Sequence, residues 1–525
     1  MDPCPALVAI SFDVPRWALE IASALYVVLV TVFIVLERRR PTATLALLLA
    51  LVFLPVVGLL TYLLFSRTRS WKRQRLRKRR QARPVDATHN VASLDELPAD
   101  LPAPQRGLVS LGLRAAAAPL RHADEVRLLP TAAEAYAAFE DTIQGAERFI
   151  HCQFYIWKDD AIGRQITAWL TERARHGVAV RVLYDHVGSL GLPNSHFAAL
   201  REAGGEVAVF GRVRLPSLRM GAGRLNFRNH RKILTADGCV GLLGGLNIGV
   251  EYLDPKGDDD KWRDLQVQIG GDAVIGLDAI FLEDWMQATG EIVDLKGERP
   301  VAHNPMDRHK GRSKPRRWSR QQPPPGGDTF SPMQDRPIAS GGPLLQIIPS
   351  GPDHENVSVI AAQMTAAIAT AVHRAWIATP YLVPDEPLRL TLRTAALRGV
   401  DVRLLVPKPE HNDARLVAYA SRSYYEELLE AGCRIFEYEL GMLHAKYMVV
   451  DQVCAIGSAN MDVRSFYLNF EVTAMFYDAS VTAQLASVFE GDLARARAVT
   501  LDDVTDPPFF ERLAESFARV LSPLL

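Results

Sequence analysis

Cysteine is scarce in this 525-residue chain, and the few present form no C-x-x-C pair and no cluster with the spacing of metal ligands. A disulfide framework or a cysteine-ligated metal site is therefore not expected. We interpret these cysteines as reduced, mostly buried thiols, which is typical of a folded part that faces a reducing compartment. They are Cys4, Cys152, Cys239, Cys433 and Cys454.

Neither sign of charge is in excess, because 60 basic residues balance 60 acidic ones, but the charges are unevenly distributed. Two long segments near the N-terminus have almost none: Trp17–Leu36 contains only Glu20, and Thr42–Phe65 contains no charged residue. Each segment is long enough to cross about 30 Å of hydrocarbon as a helix. We therefore predict a transmembrane helical hairpin over residues 1–66, since the acidic residues before Trp17 fit a cleaved signal peptide poorly.

A basic juxtamembrane segment follows over residues 67–104. Its first stretch, Arg67–Arg83, contains ten Lys and Arg residues and no acidic one. Basic residues beside a membrane segment usually lie on the cytoplasmic side, so we expect the catalytic part to be cytoplasmic. The membrane is then a bacterial inner membrane, which the chain crosses more than once. Arg38–Arg40 complicate this topology, because a full hairpin leaves them on the far side. Pro55 and Gly58 interrupt the second segment, so a re-entrant second helix is the alternative.

Three interpretations of the stretch Arg67–Arg83 are open. The first is a solvated flank that only sets the membrane topology, the second is a binding site for anionic lipid headgroups, and the third is a binding site for nucleic acid. Direct attachment to a hydrophobic segment favours lipid, and each Lys or Arg near an anionic surface contributes on the order of 1 kcal/mol. We therefore expect anionic membrane lipid as a partner and no nucleic acid.

One motif occurs twice, as His230–Lys232 with Asp237 and as His444–Lys446 with Asp451. In both copies the aspartate follows the lysine at the same offset, and a G-G/S-x-N sequence comes shortly afterwards. A histidine and a lysine two positions apart on a strand face the same way, so both can point at one phosphate. A single H-x-K is weak, but two copies with the same additions indicate a duplicated phosphate site. The added sequences are Gly244-Gly245-Leu246-Asn247 and Gly457-Ser458-Ala459-Asn460.

Strand and helix patterns recur in the same order in the two halves of the chain. This repeat predicts an α/β fold of two duplicated lobes, each a sheet covered by helices on both faces. The expected lobes are residues 105–297 and 343–525, joined by a flexible Pro/Arg-rich linker at 298–342. The strand, helix and strand are Arg148–Trp157, Gly163–Arg175 and Val178–Tyr184 in the first half, and Arg374–Val383, Leu388–Arg398 and Val400–Val406 in the second.

H-x-K-x4-D twice, with G-G/S-x-N behind each copy, is similar to the signature of the phospholipase D superfamily. The likeness extends to the bacterial cardiolipin synthases, which the N-terminal hairpin and several stretches of both halves resemble. The resemblance implies two phospholipase D-like α/β sandwich lobes that pack about a pseudo-two-fold axis, with both motifs at one site. The duplication independently requires an arrangement of that kind. The resembling stretches are Gln153–Trp157, Asn229–Ile233, Gly244–Gly249, Trp262–Asp264, Thr379–Tyr381 and Asn460–Ser465.

The residue types suit exchange of one phosphodiester for another. A phosphodiester carries a negative charge and resists attack by anions, so a neutral imidazole is a suitable nucleophile near neutral pH. The leaving oxygen needs a proton, which a second, charged histidine supplies before it acts as base toward the acceptor. The remaining donors hold the two non-bridging oxygens and stabilise the transition state, so no metal or other cofactor is expected. They are Lys232, Lys446, Asn247 and Asn460, with Ser458 as a further phosphate-binding residue.

Carboxylates complete the candidate site. Each histidine needs an acceptor on its other ring nitrogen to hold its tautomer. Asp264 and Glu471, which follow their respective histidines along the chain, are similar in placement to the family's orienting carboxylates. Asp237 and Asp451 belong to the repeated motif and are counted with the catalytic residues, and their alternative is a structural acceptor in the strand turn.

The two halves are unequal, because the first motif has Gly245 where the second has Ser458. By resemblance to family members in which the first-motif histidine takes the phosphoryl group, His230 is the expected nucleophile and His444 the acid and base. The resemblance implies transfer of a phosphatidyl group between two phosphatidylglycerol molecules, giving cardiolipin and glycerol through a phosphohistidine. The alternatives are a phospholipase D or phosphodiesterase that uses water or another alcohol, and a membrane-tethered nuclease. The donor, phosphatidylglycerol or phosphatidylethanolamine, and the oligomeric state stay open.

Overall fold

The computed structural model describes residues 101–212, 226–253, 262–294, 299–300, 342–353 and 358–522, with a few isolated positions nearer the N-terminus. The predicted hairpin, the basic stretch Arg67–Arg83 and nearly all of the predicted linker lie outside these residues. Within the described part of the chain, no helix is both long and apolar enough to span a bilayer.

The described elements form two successive runs of strands and helices. The first run consists of α1 (Ala103–Ala116), β1 (Arg121–His122), β2 (Val126–Leu129), α2 (Ala132–Gln144), β3 (Phe149–Phe154), α3 (Ala161–Arg175), β4 (Ala179–Asp185), α4 (Ala198–Glu202), β5 (Glu206–Phe210), β6 (Ile233–Ala236), β7 (Val240–Gly244), β8 (Gln266–Gly270), α5 (Val274–Thr289), β9 (Val293–Asp294) and β10 (Arg299–Pro300). The second consists of β11 (Leu344–Ser350), α6 (Val359–Thr370), β12 (Arg374–Ala378), β13 (Leu382–Val383), α7 (Glu386–Leu397), β14 (Asp401–Pro407), α8 (Arg415–Arg422), α9 (Tyr425–Glu430), β15 (Arg434–Tyr438), β16 (Tyr447–Val450), β17 (Val453–Gly457), β18 (Met461–Asp462), α10 (Val463–Tyr467), β19 (Glu471–Phe476), α11 (Ala479–Leu493), β20 (Ala496–Val499) and α12 (Phe509–Leu521).

The two main sheets share one strand order, as a duplication requires. The first runs β2-β8-β7-β6-β3-β4-β5, and the second runs β11-β19-β17-β16-β12-β14-β15, with β1 and β20 added at its two ends. In each sheet a parallel group, β3-β4-β5 or β12-β14-β15, stands beside an antiparallel group. The predicted α/β fold with two lobes is confirmed, and the repeated segments fall on β3-α3-β4 and on β12-α7-β14.

Both crossover helices begin where the sequence supplies an N-cap aspartate after a buried strand. Asp160 accepts from the backbone N–H of Gly163 at the start of α3, with an N···O distance of 2.9 Å. Asp385 accepts in the same way from Leu388 at the start of α7, at 3.2 Å. Such caps satisfy a helix N–H that has no partner inside the helix, and they mark where the chain turns back over the sheet.

Helix α1 and strand β1 pack on the second sheet although they precede the first lobe in sequence. Strand β1 pairs antiparallel with β11. Helix α1 buries Leu108 and Val109 in the same apolar core as Val359 of α6, and Gln346 of β11 donates to the Val109 carbonyl at 3.1 Å. These two elements thus belong to the sheet and core of the second half, and the first sheet begins at β2. The boundary predicted at residue 105 stays a prediction.

The two lobes share an apolar core between their sheets. Fully burying an aliphatic side chain stabilises the folded state by about 1.5–3 kcal/mol, so a core built from both lobes holds their relative position firmly. The ends of β6 and β16 at which the two motifs lie are therefore fixed beside this interface. Shared-core residues include Ile233, Leu243 and Val267 from the first lobe and Val449, Ile456 and Val472 from the second.

Each motif aspartate lies in the turn at the far end of the strand that follows its lysine. The four residues between Lys232 and Asp237 are β6, and those between Lys446 and Asp451 are β16. At about 3.3 Å per residue, the strand carries each aspartate well away from its lysine. Both aspartates adopt left-handed backbone conformations, with φ of 57° and 48°. Their carboxylates accept from three consecutive backbone N–H groups, those of Glu147, Arg148 and Phe149 for Asp237 and of Val372, His373 and Arg374 for Asp451.

We expect Asp237→Ala to lower the free energy of unfolding by about 1–3 kcal/mol, because three backbone N–H groups lose their acceptor and alanine disfavours the left-handed conformation. Asp237→Asn tolerates that conformation and keeps one acceptor oxygen, so its loss should be smaller. The midpoint of thermal unfolding measures both changes, and the folded variants should turn over substrate at nearly the wild-type rate. If the Asp237→Ala variant lost turnover while its stability was unchanged, Asp237 would have a catalytic role.

Candidate active site

The two motif histidines are brought together by backbone pairing between the lobes. The chain just before β6 pairs with the chain just before β19, so that the His230 N–H donates to the Phe470 carbonyl at 2.9 Å. In the same way the chain before β16 pairs with the chain before β8, and the His444 N–H donates to the Arg263 carbonyl at 2.7 Å. Each histidine therefore lies beside the first residues of a strand of the other lobe.

The orienting carboxylates cross between the lobes. His230 Nδ1 lies 3.0 and 3.1 Å from the two oxygens of Glu471, and His444 Nδ1 lies 2.7 Å from Asp264 Oδ2. Sequence order instead associates each carboxylate with the histidine that precedes it in its own half. Within one lobe those two residues lie at or just before the starts of strands separated by a third strand, so their backbones lie about 10 Å apart. The structure pairs each imidazole with the carboxylate of the other lobe instead.

The carboxylates set the tautomer of both imidazoles. An ionised carboxylate only accepts hydrogen bonds, so each histidine donates through Nδ1–H and leaves the lone pair of Nε2 for chemistry. Aromatic rings cover both imidazoles: Tyr155 meets His230 edge-on with ring centres 5.0 Å apart, and Trp262 lies 5.1 Å from His444. Both histidines are consequently buried.

Burial favours the neutral form of both histidines in the free protein. It lowers the pKa of His230 to about 4, with Lys232 adding to the effect and Glu471 opposing it. Burial likewise lowers the pKa of His444, and Lys446 adds to that shift. An anionic phosphodiester favours the charged imidazole and raises both pKa values, so a histidine gains its proton most readily when substrate is bound.

The motif lysines lie next to the backbone of their own histidines. Lys232 Nζ donates to the His230 carbonyl at 2.6 Å, and Lys446 Nζ donates to that of His444. Each ammonium keeps two further N–H groups for ligand oxygens. Burial lowers the pKa of Lys446 to about 8 and that of Lys232 well below its ordinary value, so an anionic ligand stabilises the charged form of both.

The motif asparagines are fixed by their surroundings. Asn247 donates through Nδ2 to the Tyr252 hydroxyl at 3.1 Å and accepts from the Ile156 N–H at 3.2 Å. One Asn247 N–H therefore remains for a ligand. The side chain of Asn460 hydrogen-bonds to Asp462, whose pKa burial raises to about 6.

The Ser458 side chain hydrogen-bonds to Glu471 in this structure. Its hydroxyl donates to Glu471 Oε2 at 2.5 Å and accepts from the backbone N–H of Val472 at 3.0 Å. The side chain is fully buried, and its single O–H is committed to the carboxylate, so it has no hydrogen left to donate to a phosphate. The geometry therefore favours a positioning role for Ser458 over the predicted phosphate contact.

The glycine at the matching position of the first motif leaves room for the other carboxylate. A Cβ atom on Gly245 would lie 2.2 Å from Asp264 Oδ1, a distance that no folded protein tolerates without movement. Asp264 Oδ1 accepts instead from the backbone N–H of Leu265 at 2.7 Å. The sequence difference between the halves is thus matched by a difference in how each carboxylate is held.

A buried network behind His230 was not identified from the sequence. Asp284 on α5 accepts through Oδ2 from Arg231, Asn229 and Gln153, at 2.7, 2.8 and 2.8 Å. Arg231 Nε also donates to the backbone carbonyl of Glu471 at 3.0 Å. Gln153 and Asn229 lie inside stretches that resemble the family, but no local pattern marks Asp284.

The charges of the site suit a phosphodiester. Two lysines balance two carboxylates, and a bound diester adds one negative charge that one protonated histidine neutralises. Within the part of the chain that the structure describes, no group of three or more His, Cys, Asp and Glu side chains has the arrangement of a metal site.

We expect Gly245→Ala to reduce turnover of a substrate with an alcohol leaving group by about 10²-fold or more, because the added methyl displaces Asp264 from His444. With a p-nitrophenyl leaving group, which departs without an acid, the first step should be nearly unaffected. Ser458→Ala should cost only about 10-fold, because Glu471 still contacts His230 through both oxygens. Steady-state turnover and burst rates on the two substrates measure the contrast, and equal losses for Gly245→Ala on both would contradict it.

Two family models match the chain. One is described as the phospholipase D-like domain of cardiolipin synthase and matches residues 364–493, which include the second motif. The other is described as a phospholipase D-nuclease N-terminal region and matches residues 24–67, which overlap the two hydrophobic segments.

Curated relatives resemble the chain over nearly its whole length. It is 40% identical over 507 residues to a cardiolipin synthase of Geobacillus kaustophilus (strain HTA426), covering 95% of this chain and 92% of that protein. It is 36% identical over 512 residues to a cardiolipin synthase of Alkalihalophilus pseudofirmus, covering 97% and 94%.

A solved structure supports the fold. The phosphatidylserine synthase of Haemophilus influenzae Rd KW20 aligns with a TM-score of 0.57 at 15% identity, covering 80% of this chain and 100% of that one. At that identity the likeness concerns the fold alone. Together with the relatives, it confirms the resemblance drawn from the motifs: the chain belongs to the cardiolipin synthase family, whose catalytic part has the two-lobed phospholipase D fold.

Proposed function

We propose that this protein transfers a phosphatidyl group from one phosphatidylglycerol molecule to another and so makes cardiolipin and glycerol. Family membership supports a phosphatidyltransferase that acts on phospholipids. The observation that carries the proposal is the crossed pairing of two buried histidines with carboxylates of opposite lobes, each histidine beside a lysine. One site then contains a nucleophile, an acid and two cations.

In the first step His230 Nε2 attacks phosphorus, and the bond from phosphorus to the leaving glycerol oxygen breaks. Protonated His444 donates its proton to that oxygen, so glycerol leaves as a neutral alcohol. Lys232, Lys446 and Asn247 stabilise the charge on the non-bridging oxygens. The product is a phosphatidyl group bound to His230.

In the second step the free hydroxyl of another phosphatidylglycerol enters the site vacated by glycerol. Neutral His444 takes the hydroxyl proton, the oxygen attacks phosphorus, and the phosphorus–nitrogen bond to His230 breaks. One diester has replaced another, so no nucleotide is consumed.

The pKa shifts favour His230 as nucleophile. Burial lowers the pKa of His230 to about 4, so its Nε2 lone pair is available at any pH well above that value. Glu471 contacts His230 through both oxygens, and Ser458 holds one of them. These contacts hold the imidazole of His230 in one orientation, as a nucleophile requires when it first attacks phosphorus and then leaves it.

We further propose that residues 1–66 anchor the enzyme in the bacterial inner membrane, with the catalytic lobes cytoplasmic. The match of a phospholipase D-nuclease N-terminal model to residues 24–67 supports a family-specific role for that region. The basic stretch Arg67–Arg83 then lies near the membrane surface, where it attracts anionic lipid.

Product analysis tests the main proposal. Purified protein in detergent receives phosphatidylglycerol labelled in the headgroup glycerol, with a metal chelator present. Labelled free glycerol and cardiolipin in equal amounts are expected, because lysines and histidines supply the charge. If phosphatidic acid formed and no cardiolipin did, the protein would be a phospholipase that uses water. If activity were lost in the chelator and restored only by one added metal, the mechanism without a cofactor would be wrong.

The histidine assignment predicts a burst. His444→Ala keeps the nucleophile but loses the acid and base, so full turnover should fall by about 10²- to 10⁴-fold. A p-nitrophenyl phosphodiester needs no acid, so this variant should release about one nitrophenolate per site and retain an acid-labile adduct on His230. At sub-saturating substrate, the burst rate should be level from neutral pH down to about pH 5 and fall below it, as His230 gains a proton.

Mass spectrometry of the trapped protein decides the assignment, with His230→Ala as the matched variant. His230→Ala should show neither burst nor adduct. An adduct on His444 in that variant would reverse the roles, and the absence of an adduct in both would argue for direct displacement.

Replacing the ten basic residues of Arg67–Arg83 by Gln should weaken binding to anionic vesicles and flatten its salt dependence. Turnover of a soluble diester should change little. Flotation at several salt concentrations measures the first effect, and equal losses on both substrates would place the stretch in the fold or the site.

A further inference from the structure

Helix α12 buries Ala518 and partly buries Glu515 and Arg519 on its inner face, while its large apolar side chains point outward. Five large apolar side chains occupy a single side of this 13-residue helix and are 56–81% exposed. Amphipathic helices of globular domains ordinarily turn such a face to the core. The exposed residues are Phe509, Phe510, Leu513, Phe517 and Val520.

Polar contacts hold the inward face of α12 in place. Glu515 pairs with Arg422 of α8 at 3.1 Å. Arg519 pairs with Glu427 of α9 at 3.2 Å and donates to the Ser423 carbonyl at 2.6 Å. The outward direction of the apolar face is therefore built into the fold and does not come from a loose terminus.

The apolar face continues onto α8, which begins beside the active site. Leu416 and Tyr419 of α8 are exposed large side chains. Helix α8 starts two residues after Asp413, which accepts from the Tyr381 hydroxyl at 2.7 Å and lies close enough to His444 to influence its pKa. The surface thus lies next to the site that receives the lipid.

We propose that the outer face of α12, together with Leu416 and Tyr419, inserts into the interfacial region of the phospholipid bilayer beside the active site. This inference rests on the proposed lipid substrate. Phenylalanine and leucine on one side of a short surface helix are typical of interfacial insertion. Two acidic and two basic residues on α12 balance one another, so insertion here depends on apolar area and not on attraction to anionic lipid.

A function follows from the position of this surface. A diacyl lipid must bring its headgroup phosphate to the buried histidines while its acyl chains remain in an apolar environment. A helix embedded beside the site holds the opening at the membrane surface, so the headgroup enters without complete extraction of the lipid. We therefore expect a defect at this face to affect lipids in vesicles and to spare small soluble diesters.

Photolabelling of the full-length protein tests the contact directly. Vesicles contain phosphatidylcholine with a diazirine in its acyl chain, and labelled peptides are mapped by mass spectrometry. Adducts are expected on peptides from Phe509–Leu521. Helix α7 is the internal control, because Leu390 and Leu397 are also exposed but lie on a helix whose main apolar face is buried, and it should stay unlabelled.

Substitution tests the consequence. Leu513→Ser/Phe517→Ser should lower kcat/KM for phosphatidylglycerol in vesicles by roughly 10-fold or more, since the apolar area available for insertion falls. Hydrolysis of bis(p-nitrophenyl) phosphate should be unchanged. The matched variant Leu390→Ser/Leu397→Ser should leave both activities at the wild-type level.

The outcomes separate the competing occupants of the face. The proposal would be overturned if α12 stayed unlabelled while the N-terminal segments of the same sample carried adducts, the result expected where a second copy of the chain covers this face. Losses on both substrates for Leu513→Ser/Phe517→Ser would assign the face to the stability of the fold. If α12 carried adducts but the protein made no cardiolipin, the membrane contact would be supported and only the proposed function would be wrong.

Discussion

The active site depends on hydrogen bonds that cross between the lobes. Glu471 of the second lobe orients His230 of the first, and Asp264 of the first orients His444 of the second. Neither lobe contains both members of a histidine–carboxylate pair, so an isolated lobe would leave its motif histidine without its carboxylate partner. The shared apolar core between the sheets is consequently part of the catalytic machinery, because it sets the distances across which these pairs form.

The two half-sites are similar in plan but differ in how their carboxylates are held. Glu471 has one methylene more than Asp264 and is supported by the Ser458 hydroxyl. Asp264 is supported by a backbone N–H and occupies the space next to Gly245. A buried charged network backs His230 through Arg231. The two histidines are therefore held by two different supports, and this difference is consistent with the unequal roles proposed for them.

The repeated motif combines residues of the site with residues of the scaffold. Its histidine and lysine lie at one end of a strand, and its aspartate lies in the turn at the other end. That aspartate ties the turn to the start of the neighbouring strand through three backbone N–H groups. The lysine and the aspartate are five positions apart in both motifs because a four-residue strand lies between them, and not because both side chains contact the phosphate.

The sequence by itself determined the fold class and the duplication, because periodicity and a repeated motif are visible in neighbouring residues. It also predicted the two histidine–lysine pairs that the structure brings to the interface between the lobes. Tertiary structure alone decided the carboxylate partner of each histidine, the contact of Ser458 with Glu471 and the place of α1 on the second sheet. The two orienting pairs join residues 241 and 180 positions apart. Contacts at such separations depend on how two lobes pack, and packing is a property of surfaces that no local pattern of residues describes.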